Sequence, residues 1–189
     1  MKRTITVALS FCFFLLASIL TVSPAKALTF SFDGYITYHN DVVPINFTLN
    51  NDAANVRLWT DSFNSNANFD PILALWDSTG TLLAQNDDNP YVGVGQTYYD
   101  SGFFLSSLPA GDYIVTIARF SNFAWGPTLA QGFYRDGDTP FPFSEGGYYR
   151  IWLDGVDRAT SPSPTPEPAT CLLFLFGVVG LAGAKKRFS

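Results

Sequence analysis

Residues 70–90 read DPILALWDSTGTLLAQNDDNP, and this stretch decides the fold class. Two short apolar runs, Pro71–Trp76 and Thr81–Asn86, flank a polar four-residue turn. Asp77 and Gly80 stand at its ends, the places where a type I turn favours them. If Trp76 faces Thr81, the partners are residues whose numbers sum to 157. Leu73 and Leu75 then share a core face with Ala84 and Leu82. The same register sets Asp70 opposite Asp87 at the open end of the hairpin.

The pattern of this hairpin repeats in both directions. Runs rich in Val, Ile, Phe, Tyr and Thr alternate with clusters of Asp, Asn, Gly and Pro. They predict further strands near Phe30–Tyr38, Pro44–Asn50, Asn55–Thr60, Asp100–Ser106, Asp112–Phe120 and Tyr148–Asp154. No segment between Leu28 and Asp157 keeps a helical period for three turns. The expectation is an all-β, two-sheet β-sandwich of jelly-roll type. Tyr113, Val115 and Ile117, Tyr149, Ile151 and Leu153, and Val56 and Leu58 form the inward sets. Arg57, Trp59, Tyr148, Arg150, Trp152 and Asp154 point outward. A long connection, 121–147, far exceeds the usual ~4–6 residues. Its aromatic residues predict an ordered excursion folded over one sheet or one end of the sandwich.

The ends differ from the middle. Lys2 and Arg3, an apolar run from Val7 to Val22 and the small residues Ala25-Lys26-Ala27 predict a secretory signal peptide over 1–27, cut after Ala27 by signal peptidase. The sandwich then occupies 28–157. Both cysteines, Cys12 and Cys171, lie outside it, so disulfides and metal–thiolate chemistry are excluded there. Between Leu28 and Pro168 five arginines face sixteen carboxylates, a net charge of −11 with no lysine. Such a surface repels nucleic acid and attracts cations. Residues 158–168, RATSPSPTPEP, predict an extended proline-rich stalk. The apolar run 169–184 would span about 24 Å as a helix, short of the ~30 Å hydrocarbon core. Lys185, Lys186 and Arg187 would hold its end on the cytoplasmic side.

This ending resembles the PEP-CTERM sorting signal of exported Gram-negative bacterial proteins, here over 166–189. Pro166-Glu167-Pro168, the apolar helix and the basic cluster Lys185-Lys186-Arg187 carry the resemblance. It implies an inner-membrane-tethered precursor, cleavage by an exosortase-type membrane protease, and delivery to the cell surface or exterior. An ordinary single-span anchor is the alternative. Residues 69–156 resemble an uncharacterised exported domain family related to bacterial pre-peptidase C-terminal domains. That likeness implies a calcium-stabilised accessory sandwich without catalytic activity.

Two candidate sites follow. Asp70, Asp87, Asp88 and Asp100 converge near the hairpin's open end and form the candidate calcium set, with Asn86 and Asn89 as amide donors of oxygen. The competing reading is a solvated turn in which Asp and Asn bond their own backbone. Asp136 and Asp138 form a second acidic pair. Trp59 with Arg57, and Trp152 with Arg150, are candidate glycan platforms, since rings stack on sugar C–H groups and Arg bonds hydroxyls. Local Arg–Trp stacking, or cover from the 121–147 excursion, would remove that role. His39, the single histidine, has no nucleophile motif beside it, and the chain is not expected to be an enzyme. Asn46-Phe47-Thr48 matches a glycosylation sequon without further support. Two functions remain: a sorted surface or matrix protein with a structural or binding sandwich, and an exopolysaccharide-binding module of the same architecture.

Overall fold

Nine strands form two antiparallel sheets in the computed structural model, which describes residues 28–161. They are β1 (Leu28–Tyr35), β2 (Val42–Leu49), β3 (Ala53–Thr60), β4 (Pro71–Asp77), β5 (Leu82–Asn86), β6 (Gly102–Leu108), β7 (Gly111–Arg119), β8 (Tyr148–Val156) and β9 (Arg158–Thr160). The only helical turn among the described residues is a 3-10 turn, Leu129–Gln131. The signal peptide, most of the stalk and the sorting helix lie outside the described residues.

One sheet has the order β1-β8-β3-β6 and the other β5-β4-β7-β2-β9. The pairs β1·β8, β2·β7, β3·β6 and β4·β5 are nested. They amount to one long antiparallel ribbon whose tip is the β4–β5 hairpin. Wrapping that ribbon adds β3·β8 and β4·β7, the strand order of a jelly roll. Hydrophobic alternation explains why it wraps, because only two facing sheets bury one face of every strand. Val56, Leu58, Ile151, Leu153, Phe47, Val115 and Ile117 fill the interior, together with Tyr113 and Tyr149. Every residue expected on the inward sets of β3, β7 and β8 is there.

The hairpin register differs from expectation. Gly80 adopts φ +81°, a left-handed conformation that suits glycine, and the loop closes with three residues, 78–80, rather than four. Asp77, rather than Trp76, faces Thr81: its N–H donates to the Thr81 carbonyl at 3.0 Å. The Asp77 carboxylate accepts the N–H groups of Thr79 and Thr81, which locks the turn. Trp76 then pairs with Leu82 and Leu75 with Ala84, so Leu83 is skipped and bulges outward. The two offsets cancel in parity, and Ala84 still meets the core. Leu82 leaves it.

The 121–147 excursion packs on the outer face of β4 and β7. Beneath it Ile72, Ala74, Trp76, Thr116 and Ala118 are buried. Trp76 donates from Nε1 to Thr116 Oγ1 at 3.0 Å and meets Phe133 edge to face. Backbone bonds from Leu82 to Pro127 and from Leu129 to Gly80 tie the excursion to the hairpin.

The stalk begins later than expected. Arg158–Thr160 are β9 and pair with Asn46–Thr48 of β2. Asn50 N–H donates to Asp157 Oδ2 at 2.6 Å and fixes the approach. β9 shields part of the β2 edge, which would otherwise offer unpaired backbone groups to another chain.

Candidate functional site

Asp70 enters β4, and Asp87 and Asp88 leave β5, so strand pairing alone brings the three to one end of the sandwich. One oxygen from each lies within 4.8 Å of the others. Pairing of β4 with β7 also sets Asp70 beside Arg119 and Phe120, whose N–H donates to the Asp70 carbonyl at 2.8 Å. Asp70 and Asp87 are half-buried and Asp88 is exposed. Asp70 Oδ1 and Asp87 Oδ1 are shut off from solvent and accept no hydrogen bond from the described residues. Each such orphan oxygen is destabilising by about 1–3 kcal/mol, and more when charged.

The electrostatics agree with that geometry. Burial, then the charges of Asp87 and Asp88, pushes the Asp70 carboxyl up to about 7, although Arg119 pulls it back in part. Burial and the Asp88 charge push Asp87 up to about 6. Burial raises Asp88 as well. Three carboxylates so placed repel one another unless protons or a cation intervene. A hard divalent cation fits: the triad offers three to six oxygens, and calcium takes roughly six to eight. The two orphaned oxygens are the atoms such an ion would satisfy.

Asp100 does not join them. It is fully buried, and both of its oxygens are committed. Oδ1 accepts Thr60 Oγ1 at 3.0 Å and Phe63 N–H at 3.1 Å, and Oδ2 accepts Thr97 N–H at 2.7 Å and Thr97 Oγ1 at 3.0 Å. The loop 87–99 wraps back over the sandwich, and Asp100 fastens its return to β3. Asn86 is likewise occupied, its Oδ1 accepting Gly102 N–H at 2.9 Å. Asn89 donates from Nδ2 to the Gly102 carbonyl at 3.2 Å. These bonds hold the backbone that carries Asp87 and Asp88.

Asp136 and Asp138 are engaged separately. Asp136 accepts Phe133 N–H at 2.8 Å. Asp138 Oδ2 lies 3.3 Å from both His39 Nε2 and Arg135 Nη1. The His39 hydrogen bond, more than Arg135, holds the Asp138 carboxyl below its usual range. His39 is buried and stacked on Phe141 at 3.7 Å.

The tryptophan pair is also placed differently from expectation. Trp59 and Trp152 are cross-strand partners, stacked 6.0 Å apart. Arg57 lies over Trp59 and Arg150 over Trp152, each at 5.5 Å. Arg57 is held by Asp154 and Arg150 by Asp61. Burial raises Asp154, but hydrogen bonds from Arg57 and Thr29 outweigh it and lower its carboxyl pKa. Trp59 is only 7% exposed. Gly93 passes so closely that a Cβ there would fall 2.1 Å from the indole. The cover is loop 91–95, not the 121–147 excursion, and Trp59 offers no face to a sugar.

A cleft that the sequence did not reveal adjoins the triad. About 210 Å³ in volume, it is lined by Phe63, Asn66, Asn68, Asp70, Tyr99, Arg119, Phe120 and Glu145. Asn66 on its wall belongs to a turn, Asn64–Asn66, in which all three residues have positive φ. The Asn-rich run FNSNANF signals such a turn. Nothing in the sequence pairs Arg119 with Glu145, which form an ion pair across the mouth.

Residues 164–187 match the PEP-CTERM protein-sorting motif. A motif of this class implies export and sorting to the cell surface by an exosortase, through a membrane-anchored precursor. No curated protein matches the chain. The likeness to pre-peptidase C-terminal domains gains no support from these comparisons.

Proposed function

We propose that the protein is an exported, non-catalytic surface or matrix component whose sandwich is completed by calcium at Asp70, Asp87 and Asp88. The observation that carries the calcium reading is the pair of orphaned oxygens, Asp70 Oδ1 and Asp87 Oδ1, inside a three-carboxylate cluster. A non-catalytic role is supported by the histidine, which is engaged in structural contacts. Signal peptidase would release Leu28, and the membrane protease would cut near Pro168, leaving the domain with β9 docked.

Calcium bound at the triad would displace protons held by Asp70 and Asp87. Calorimetric titration near pH 6.5 should therefore register proton release that depends on the buffer. Asp87→Asn should weaken the affinity by an order of magnitude or more. Heat that is absent for the native protein, or unchanged in the variant, would remove calcium from the proposal.

Sorting is tested apart from metal. Intact-mass measurement on envelope protein is expected to find a chain starting near Leu28 and ending near Pro168. Neutralising Lys185, Lys186 and Arg187 together should leave most of the chain unprocessed. A steady-state species that retains Cys171 would identify the tail as a plain anchor.

A further inference from the structure

The excursion that buries the outer face of β4 turns a second aromatic surface to solvent. Phe120, Phe123, Tyr134 and Trp125 follow one another edge to face, with ring centroids 5.9, 6.5 and 4.7 Å apart. Phe120, Trp125 and Tyr134 are 44%, 60% and 54% exposed. A hollow of about 310 Å³ opens along them, lined by Ser121, Phe123, Tyr134 and Arg135. Contiguous exposed aromatic side chains are a feature of interaction sites.

The strip is held in shape before anything binds. Trp125 N–H donates to the Gly132 carbonyl and Tyr134 N–H to the Phe123 carbonyl, each at 2.9 Å, closing a short hook. Asn122, wholly buried, accepts Arg135 N–H at 2.8 Å. Arg135 Nη2 then donates to Ser121 Oγ at 2.8 Å. Rings fixed this way lose little further freedom on binding.

We propose that this strip binds an uncharged polysaccharide, with sugar C–H faces on Phe120, Tyr134 and Trp125 and hydroxyls on Arg135 and Ser121. Four rings that meet one after another, rather than one broad apolar patch, give successive contacts for successive sugars. Hydrogen-bonding groups beside apolar ring faces match the two-sided chemistry of a pyranose. Charge selects against polyanions. Arg135 is offset by Asp138 at 3.3 Å, and the surrounding domain carries a net −11 from Leu28 to Pro168. The platform replaces the buried Trp59 and shares no side chain with the carboxylate triad, meeting it only where Phe120 N–H donates to the Asp70 carbonyl.

The test is native electrophoresis of the full chain, in a polyoxyethylene detergent, through gels containing galactomannan, mixed-linkage β-glucan or alginate. Retardation by at least one neutral polymer is expected. Trp125→Ala and Tyr134→Ala should each weaken it about tenfold, the equivalent of one aromatic contact. Both variants should keep the parent melting temperature, since the side chains are largely exposed. Asp87→Asn and chelator should leave retardation unchanged, which separates this inference from the calcium reading. Retardation by alginate alone, by no polymer, or undiminished in both Trp125→Ala and Tyr134→Ala would overturn it. So would self-association that is lost in Trp125→Ala, because the strip would then join two copies of the chain.

Discussion

Millimolar calcium is expected to raise the melting temperature of the metal-free protein by on the order of 10 °C. Binding to the folded form alone stabilises it by about 2.7 kcal/mol at a hundredfold excess over the dissociation constant. For a domain of this size each kcal/mol moves the transition by roughly 3–6 °C. Asp70→Asn and Asp87→Asn should abolish most of the shift, and chelator should reverse it. The same two variants should stabilise the metal-free protein, because each removes a charge from a cluster with no counterion. Thermal scans with and without calcium decide the matter; superimposed curves for the native protein would sink the metal site.

The pH dependence carries a distinctive sign. Asp70 and Asp87 are pushed up to about 7 and about 6 in the folded state, from an ordinary 3.8. Between pH 4 and 7 the metal-free folded protein thus holds protons that the unfolded chain releases. Stability from these groups is fully present below about pH 4 and is lost as pH rises through 6 to 7. Metal-free protein should melt lower at pH 8 than at pH 5. With calcium the trend inverts, since ion and protons compete for the same oxygens, and the gain from calcium should shrink below pH 6. Asp138, Asp154 and Glu145 are shifted downward, so their contributions change only at lower pH and leave this window clear.

The second large effect belongs to Asp100, which the sequence places among the metal ligands and the fold places elsewhere. Asp100→Ala would strand the buried N–H of Phe63 and the part-buried N–H of Thr97 and release Thr60. Those orphan donors and a lost charge-assisted network amount to about 3–5 kcal/mol. The melting temperature should fall by on the order of 15 °C. Asp100→Asn should recover little, because one amide edge would point a donor at donors. Calcium affinity per folded molecule should be nearly unchanged. A mild stability loss coupled to lost calcium binding would restore Asp100 to the metal set.

The variants differ because strand pairing and loop closure act on different scales. Alternation in β3, β7 and β8 could be read directly, since each side chain's face depends only on its own strand. The acidic triad survived a wrong register for a similar reason. Asp70 enters one strand and Asp87 and Asp88 leave its neighbour, so a two-residue slip changes partners without changing which end they occupy. The β4 run ILALW even carried an unused signal: an apolar stretch without alternation belongs to a strand buried on both faces.

By itself, the amino-acid order determined the all-β class, the inward faces of β3, β7 and β8, the acidic end of the hairpin and the sorting motif at 164–187. All of these rest on local period, local turn chemistry or contiguous motifs. Only the tertiary structure decided that loop 91–95 lies on Trp59, that Asp100 closes a loop rather than joining a cluster, and that Arg158–Thr160 become β9. It alone also set the aromatic strip on the outside of the excursion. These outcomes depend on which distant segment fills the space above a side chain. The contacts responsible join residues dozens of positions apart, so no short window of sequence contains them.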